Sequence, residues 1–167
     1  MELDRREYGI VVERRRQAVK ALVLLAAGAL AIQLVRPART NPRTDSARTL
    51  AAAAHVTPEA SAVLDRACRD CHSHDTHWPW YSNVAPVSWF VIDHVNSGRR
   101  HFNYSDWASH DEDEKPRILK DICELTRKKD MPVESYLWAR SEARVTDTDV
   151  AALCAWTDVA RQQLRPR

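Results

Sequence analysis

The stretch Cys68-Arg69-Asp70-Cys71-His72 has the pattern C-x-x-C-H and occurs once in the 167 residues of the chain. Two thiols three positions apart lie on the same side of one helical turn, where each can form a thioether bond to a vinyl group of one haem. The histidine that follows is then carried to the iron as an axial ligand. The stretch therefore predicts one covalent haem c, with Cys68 and Cys71 as attachment points and His72 as the proximal iron ligand.

Two other uses of the cysteines are less favoured. A redox disulfide of the thioredoxin kind needs a strand, a turn and a helix around the motif, and no such pattern surrounds Cys68 and Cys71. A zinc site needs a second pair of ligands, and no further C-x-x-C or H-x-x-H pair lies at a suitable distance. His74 and His77 follow closely and invite a separate metal site, but no carboxylate or cysteine set completes it.

The N-terminal region has the composition of a membrane anchor. Arginines at 14–16 and Lys20 precede an apolar run over residues 21–35 that only Gln33 interrupts. We predict a cytoplasmic basic tail at 1–17 and a transmembrane anchor at 18–35, near the lower length limit for crossing a bilayer. A signal peptide cleaved near Ala29-Leu30-Ala31 is the competing interpretation, and a buried core helix is a weaker one. The single-pass arrangement in a bacterial cytoplasmic membrane sends the C-terminal part to the periplasm.

The exported part divides into a linker and a domain. Residues 36–56 carry two prolines and an alanine-rich stretch at 50–54 that predicts a short helix, and we expect a linker there. Residues 57–167 are expected to form the haem-binding, cytochrome c-like domain. Residues 45–167 carry 16 basic and 19 acidic side chains, so the exported part is mildly acidic and no nucleic-acid partner is expected.

Helix signals recur along this domain, and no alternating strand pattern of useful length occurs. The fold is predicted to be all-α, a cytochrome c-like bundle of four or five short helices around one haem. Six tryptophans suit an aromatic wall that keeps water from the iron and also ordinary core packing, and the two roles are not exclusive. The first predicted helix starts at Thr57-Pro58-Glu59 and runs into the haem motif, and the second starts at Pro86 and ends at Gly98. The third starts at residues 111–114 and ends at Lys128 and Lys129. The fourth starts at Thr146, where Asp149 completes a capping box.

The remaining cysteines, Cys123 and Cys154, lie on predicted helices near the C-terminus. An oxidising compartment would permit a disulfide between them, which we favour over two buried free thiols.

The distal side of the iron has two candidate ligands. Met131 precedes a proline at a helix end, and a thioether on iron raises the reduction potential and suits electron transfer. A lone methionine is also a common core residue. His94, on the apolar face of its helix, is the alternative distal ligand or a hydrogen-bonded core histidine. For His72 itself, we expect the second ring nitrogen to bond a backbone carbonyl in the loop at 78–86.

These residues together resemble the bacterial haem-binding domain family of small, membrane-anchored, cytochrome c-like proteins. The resemblance runs from about Ile32 to Trp156 and is most specific in Trp78-Pro79-Trp80-Tyr81-Ser82. It implies covalent haem c on Cys68, Cys71 and His72 but no defined enzymatic activity. Members often carry a histidine where this chain has Arg140. The other matching blocks are Ile32-Gln33, Arg39-Thr40-Asn41-Pro42, residues 68–73, Ala85-Pro86-Val87-Ser88-Trp89, His94, Gly98-Arg99, Asn103-Tyr104-Ser105-Asp106-Trp107, Met131-Pro132, Tyr136 and Trp156.

The sequence as a whole favours a membrane-anchored monohaem c-type cytochrome that transfers electrons on the periplasmic face, with a redox protein as partner. The alternative is a haem-based sensor or small-gas-binding module with a labile sixth ligand, which the substitution at Arg140 leaves open. No distal acid–base pair for an enzymatic reaction can be picked out.

Overall fold

The computed structural model describes residues 2–164, with side chains from residue 7 onward. Within this range the chain forms eight α-helical segments and no strand, which confirms the all-α prediction. Five short 3₁₀ turns at 32–34, 46–48, 80–83, 104–109 and 141–143 connect them. The helices are α1 (Glu2–Ala31), α2 (Leu50–Ala53), α3 (Pro58–Val63), α4 (Arg69–His72), α5 (Val87–His101), α6 (Lys115–Arg127), α7 (Glu134–Ala139) and α8 (Asp147–Gln163).

Helix α1 and the 3₁₀ turn at 32–34 that continues it are together long and apolar enough to cross a membrane, over Glu7–Leu34. Helix α1 starts well before the predicted anchor at 18–35, so the predicted basic tail and the apolar run belong to one continuous helix. Its side chains from Glu7 onward are exposed, including those of Leu24 and Leu25. A helix that exposes leucines to water lacks the stabilisation that burial of these side chains would give.

The described chain forms two compact units. The first consists of the residues up to Ala38 together with Pro79–Val91, and the second of Arg39–Trp78 together with the residues from Ile92 onward.

The second unit has its own apolar core, with α6 and α3 packed on α8. Leu50, in the segment predicted to be a linker, is only 2 % exposed and belongs to this core. Trp107 is 1 % exposed and meets Phe102 edge to face. The buried members of the cluster are Leu50, Ala54, Ala60, Val63, Leu64, Ala67, Phe102, Trp107, Leu119, Leu137, Ala143, Leu153, Trp156 and Ala160.

Two of the four predicted helices, α3 and α8, start at the residues that the sequence predicts. The Thr57 side chain accepts a hydrogen bond from the Ala60 amide at the start of α3. At the start of α8, Thr146 and Asp149 form both hydrogen bonds of the predicted capping box. The helix predicted at 111–114 begins later, at Lys115, after a turn.

The prediction that the helix from Pro86 ends at Gly98 is wrong, because α5 continues to His101. Along α5, Ile92 and Val95 are buried, whereas Val87 and Phe90 are about half exposed. Gly98 therefore has another role than ending a helix.

The six tryptophans fall into three groups, of which Trp78 and Trp89 are partly buried. Trp107 and Trp156 are buried in the core, and the Trp156 indole donates to the His55 carbonyl. Trp80 and Trp138 are 77 % and 80 % exposed. Trp80 and Trp138 are therefore not core residues, and the shielding of the iron by the other tryptophans stays a prediction.

Candidate functional site

The C-x-x-C-H motif lies at the end of one continuous helical run. Helix α3 passes into a π-helical turn at Leu64–Cys68 and then into α4 (Arg69–His72). The Arg69 amide donates to the Leu64 carbonyl, five residues back. A π turn accommodates one residue more than an α turn and rotates the side chains that follow it, and such turns are frequent at functional sites. The orientation of both thiols thus depends on this turn, which the apolar spacing does not predict.

Both motif thiols are free and partly buried. Burial, helped by the charge of Cys71, raises the pKa of Cys68 to about 12. Burial, helped by the charge of Asp70, raises the pKa of Cys71 to about 11. Both sulfurs are therefore thiols at neutral pH, which argues against a redox-active pair because the thiolate is the nucleophile in disulfide exchange.

His72 is oriented by the residue that follows α5. Its Nδ1 lies 3.0 Å from the Phe102 carbonyl oxygen, and the two rings meet at a centroid distance of 5.4 Å. The expectation that this partner lies in the loop at 78–86 is wrong. The last carbonyls of a helix lack partners within the helix, so the region just past α5 offers a free acceptor.

This hydrogen bond fixes the tautomer of His72. With Nδ1–H donating to Phe102, the Nε2 lone pair is available to a metal, the arrangement that haem-ligating and other metal-ligating histidines use. Burial lowers the pKa of His72, although the hydrogen bond to Phe102 opposes the shift. The imidazole is accordingly neutral, as a ligand must be.

Gly98 brings α5 against the motif. A Cβ atom at this position would lie 2.5 Å from the Cys71 carbonyl oxygen and 3.1 Å from the Cys71 Cβ. Real Cβ atoms do not approach backbone atoms so closely, so the contact requires glycine. This is the role of Gly98 inside α5.

Asp70, between the two cysteines, is 8 % exposed, and its carboxylate bonds to residues outside the motif. Its Oδ2 accepts a hydrogen bond of 2.9 Å from the Tyr136 hydroxyl and lies 3.2 Å from the Arg140 guanidinium. Its Oδ1 accepts the His77 backbone amide at 3.0 Å. A buried carboxylate is stable only when it is paired and hydrogen-bonded, and these contacts supply both. Arg140, at the family's frequent histidine position, thus acts on the motif through an ion pair.

Arg99, the neighbour of Gly98, fastens the chain that follows the motif. Its guanidinium donates to the Ser73 carbonyl at 2.7 Å, the Thr76 hydroxyl at 2.9 Å, the Thr40 carbonyl at 2.8 Å and the Asn41 side chain at 3.2 Å. Four bonds from one planar group order two loops at once.

The two candidate distal ligands lie on different elements. Met131 follows a turn that closes α6, in which Lys129 adopts a left-handed φ of 62° and the Asp130 and Met131 amides donate to the Leu125 carbonyl. Its side chain is 36 % exposed. His94 is half-buried on α5. Ligation by either residue stays a prediction.

Cys123 of α6 and Cys154 of α8 are joined by a disulfide. The bond links the two helices that pack most closely in the second unit.

His74 and His77 are engaged with protein groups. The His74 Nε2 lies 2.8 Å from the Asn103 side-chain amide, and the His77 Nδ1 lies 3.2 Å from the Arg69 guanidinium. Among the residues that the structure describes, no group of three or more histidine, cysteine or acidic side chains could hold a metal ion.

The donor set fits a haem. Two free thiols, a neutral histidine whose Nε2 is available and a glycine that brings a helix onto the motif occur within one compact unit. Thiols and an imidazole are the groups that attach and ligate haem c.

Comparison with known proteins also indicates a haem-binding protein. The family model described as a haem-binding domain matches residues 27–159, and the chain belongs to this haem-binding domain family. The resemblance seen in the sequence is thereby confirmed. No curated protein and no solved structure matches the chain.

Sequence reasoning from the residues missed Asp70 and Phe102 as parts of the site. Asp70 occupies a variable position of the motif, and Phe102 contributes only a carbonyl, which any residue has. Gly98, Arg99 and Tyr136 do appear in the family blocks, so the resemblance marked these positions without giving their roles.

Proposed function

We propose that the protein is a membrane-anchored monohaem c-type cytochrome that carries electrons on the periplasmic face of a bacterial cytoplasmic membrane. Cys68 and Cys71 would attach the haem, and His72 and Met131 would ligate its iron. The observation that carries the proposal is the His72–Phe102 hydrogen bond, which leaves Nε2 available beside two free thiols in a haem-binding domain.

Several features support export of this domain. Helix α1 has the length and composition of a membrane span, and clustered arginines on its N-terminal side favour a cytoplasmic N-terminus. A disulfide between Cys123 and Cys154 suits an oxidising compartment. Haem c is attached to proteins on the outer face of this membrane, so the attachment motif also supports export of the domain.

The residues of the chain would hold the cofactor and shape its surroundings. The bound haem supplies an iron that takes up or gives off one electron. Phe102 orients His72, while Tyr136 and Arg140 hold Asp70 and with it the backbone between the thiols. A fixed site suits electron transfer because little structure has to rearrange when the charge changes. A redox protein in or at the same membrane would be the partner.

Covalent attachment is tested by expressing the full chain with haem-maturation machinery and staining a denaturing gel for haem. The wild type should retain haem after denaturation. Cys68→Ser and Cys71→Ser together should abolish the stain, whereas the matched pair Cys123→Ser and Cys154→Ser should retain it. An unstained wild type of normal abundance would contradict covalent attachment.

The distal ligand is tested by spectroscopy of the ferric protein. Methionine ligation gives a far-red sulfur-to-iron band, which Met131→Ala should abolish while His94→Ala leaves it intact. A wild type without this band would contradict methionine ligation, and a low-spin spectrum that only His94→Ala converts to high spin would make His94 the ligand. A band that survives both substitutions would contradict both assignments.

A sensor or gas-binding module is the competing function, and the partial exposure of Met131 favours it, because an exposed ligand is easily displaced. Carbon monoxide distinguishes the two. Slow or absent binding to the reduced wild type, with fast binding to Met131→Ala, supports the electron carrier. Fast binding to the wild type supports the sensor.

A further inference from the structure

Residues 79–91 lie in one compact unit with the apolar helix α1. The Gln33 side-chain amide pairs with the backbone of Ala85 in both directions, donating to its carbonyl at 3.0 Å and accepting from its amide at 2.9 Å. The Trp89 indole donates to the Val35 carbonyl at 2.8 Å. These three hydrogen bonds tie the segment to the 3₁₀ turn at 32–34 and to Val35, which follow α1 directly.

The segment has an unusual composition for this chain. None of its thirteen residues is charged, although 29 % of the whole chain is Asp, Glu, Lys or Arg. Four of the thirteen are aromatic: Trp80, Tyr81, Trp89 and Phe90. Trp and Tyr are enriched where a membrane meets water because their rings are apolar and their polar atoms can reach the headgroups.

Large apolar side chains of the segment are exposed. Trp80 is 77 % exposed, Val84 44 %, Val87 45 % and Phe90 52 %. Val87 and Phe90 are three positions apart in α5 and so lie on the same face of the helix. An exposed apolar group of this kind normally marks an interaction surface.

We propose that Trp80, Val84, Val87 and Phe90 insert into the interfacial layer of the bilayer that α1 crosses, on the side away from the N-terminus. The inference rests on the proposed membrane anchoring. Lipid is the occupant that the surroundings favour, since Leu34 and Val35, in the stretch just after α1 to which the segment is tied, are themselves exposed apolar residues. A protein partner would be expected to meet some charge for specificity, and the segment carries none.

The test uses two labels on the full-length holoprotein in vesicles of phosphatidylethanolamine and phosphatidylglycerol. Hydroxyl radicals oxidise side chains in water, and an apolar diazirine labels side chains within lipid. Trp138 of α7 is the matched control, because its exposure of 80 % is close to that of Trp80. We expect several-fold less oxidation at Trp80 than at Trp138, and diazirine label on peptides from both α1 and residues 79–91.

The outcomes separate this proposal from the membrane anchor. Label on α1 with equal oxidation of Trp80 and Trp138 would overturn the interfacial segment and leave the anchor standing. No label on either peptide would overturn the anchor itself. Protection of Trp80 without diazirine label on 79–91 would make a second copy of this chain the occupant and overturn the proposal.

A variant provides a second readout. Val87→Glu places a charge on the proposed lipid-facing surface and should raise oxidation of Trp80 in vesicles several-fold. Val159→Glu, at a 54 % exposed position of α8, should leave it unchanged. Equal oxidation of Trp80 in the two variants would overturn the proposal.

Discussion

The absent side chain at Gly98 lets α5 lie directly against the backbone of Cys71. A glycine inside a helix lowers its intrinsic stability by roughly 0.5–1 kcal/mol relative to alanine. The contact that it permits therefore costs helix stability, and it lies at the haem motif, where the position of the thiols matters.

Gly98→Ala should disturb this contact. The new Cβ would meet the Cys71 carbonyl oxygen at 2.5 Å, and a backbone atom cannot move aside cheaply. We expect a loss of about 1–3 kcal/mol in the free energy of unfolding, typical of overpacking, and less covalent haem per protein chain. Chemical denaturation and haem absorbance measure the two effects.

Gly9→Ala is the matched control, since nothing lies within 4 Å of a Cβ at that position. It should keep or slightly raise stability. A Gly98→Ala protein as stable and as fully loaded as the wild type would show that the contact is not required.

Tyr136→Phe tests the hold on the buried Asp70. It removes the 2.9 Å hydrogen bond to the Asp70 carboxylate and leaves the ring in place. Hydrogen bonds to charged groups contribute about 1.5–3 kcal/mol, and Arg140 remains paired to the same carboxylate, so we expect the lower end of this range. Denaturation measures the loss, and Tyr8→Phe, at a 72 % exposed position, should show none. Equal stability of the two variants would contradict the role of Tyr136.

At the scale of the elements, helix α8 begins with a full capping box, formed by Thr146 and Asp149. Asp149 accepts hydrogen bonds from the Thr146 amide and hydroxyl and pairs with Arg66 at 2.9 Å. Burial works against ionisation of Asp149, but these bonds outweigh it and lower its pKa. A carboxyl with a pKa below its unfolded value stabilises the fold above that value, and the contribution is lost as the pH falls through the folded pKa.

Asp149→Asn should therefore destabilise the protein by about 1 kcal/mol at neutral pH, the usual worth of a helix cap. The difference from the wild type should shrink below the ordinary carboxyl pKa of about 4. Thermal unfolding across this pH range measures it. Asp158→Asn, on the exposed side of the same helix, should show a small difference at neutral pH. A constant difference for Asp149→Asn at all pH values would contradict the assignment.

At the scale of the whole molecule, the disulfide joins α6 to α8 across a sequence separation of 31 residues. Closing a loop of this length stabilises a fold by about 3–4 kcal/mol through the entropy of the unfolded chain. Cys123→Ala with Cys154→Ala should lower stability by this order, and reduction of the wild type should give a comparable loss. Thermal unfolding with and without reductant measures both. A reductant effect of equal size on the double variant would show that the loss comes from elsewhere.

Local signals predicted the parts of the fold that local chemistry determines. Thr57 and the Thr146–Asp149 pair mark true helix starts because a cap is made within four residues. Gly98 misled the prediction, because a glycine that ends a helix and one that admits a neighbouring backbone look the same in a sequence. The hydrogen bond of His72 to Phe102 spans 30 residues, and no local pattern encodes it.

The sequence by itself determined the family, the haem-attachment motif, the helical class and an N-terminal helix fit to cross a membrane. Each follows from residues adjacent in the chain or from periodic spacing. Only the tertiary structure decided how the motif is held: by Asp70 in contact with Tyr136 and Arg140, by Phe102 on His72 and by Gly98 on Cys71. These contacts join residues 27 to 70 positions apart, and only packing brings such residues together.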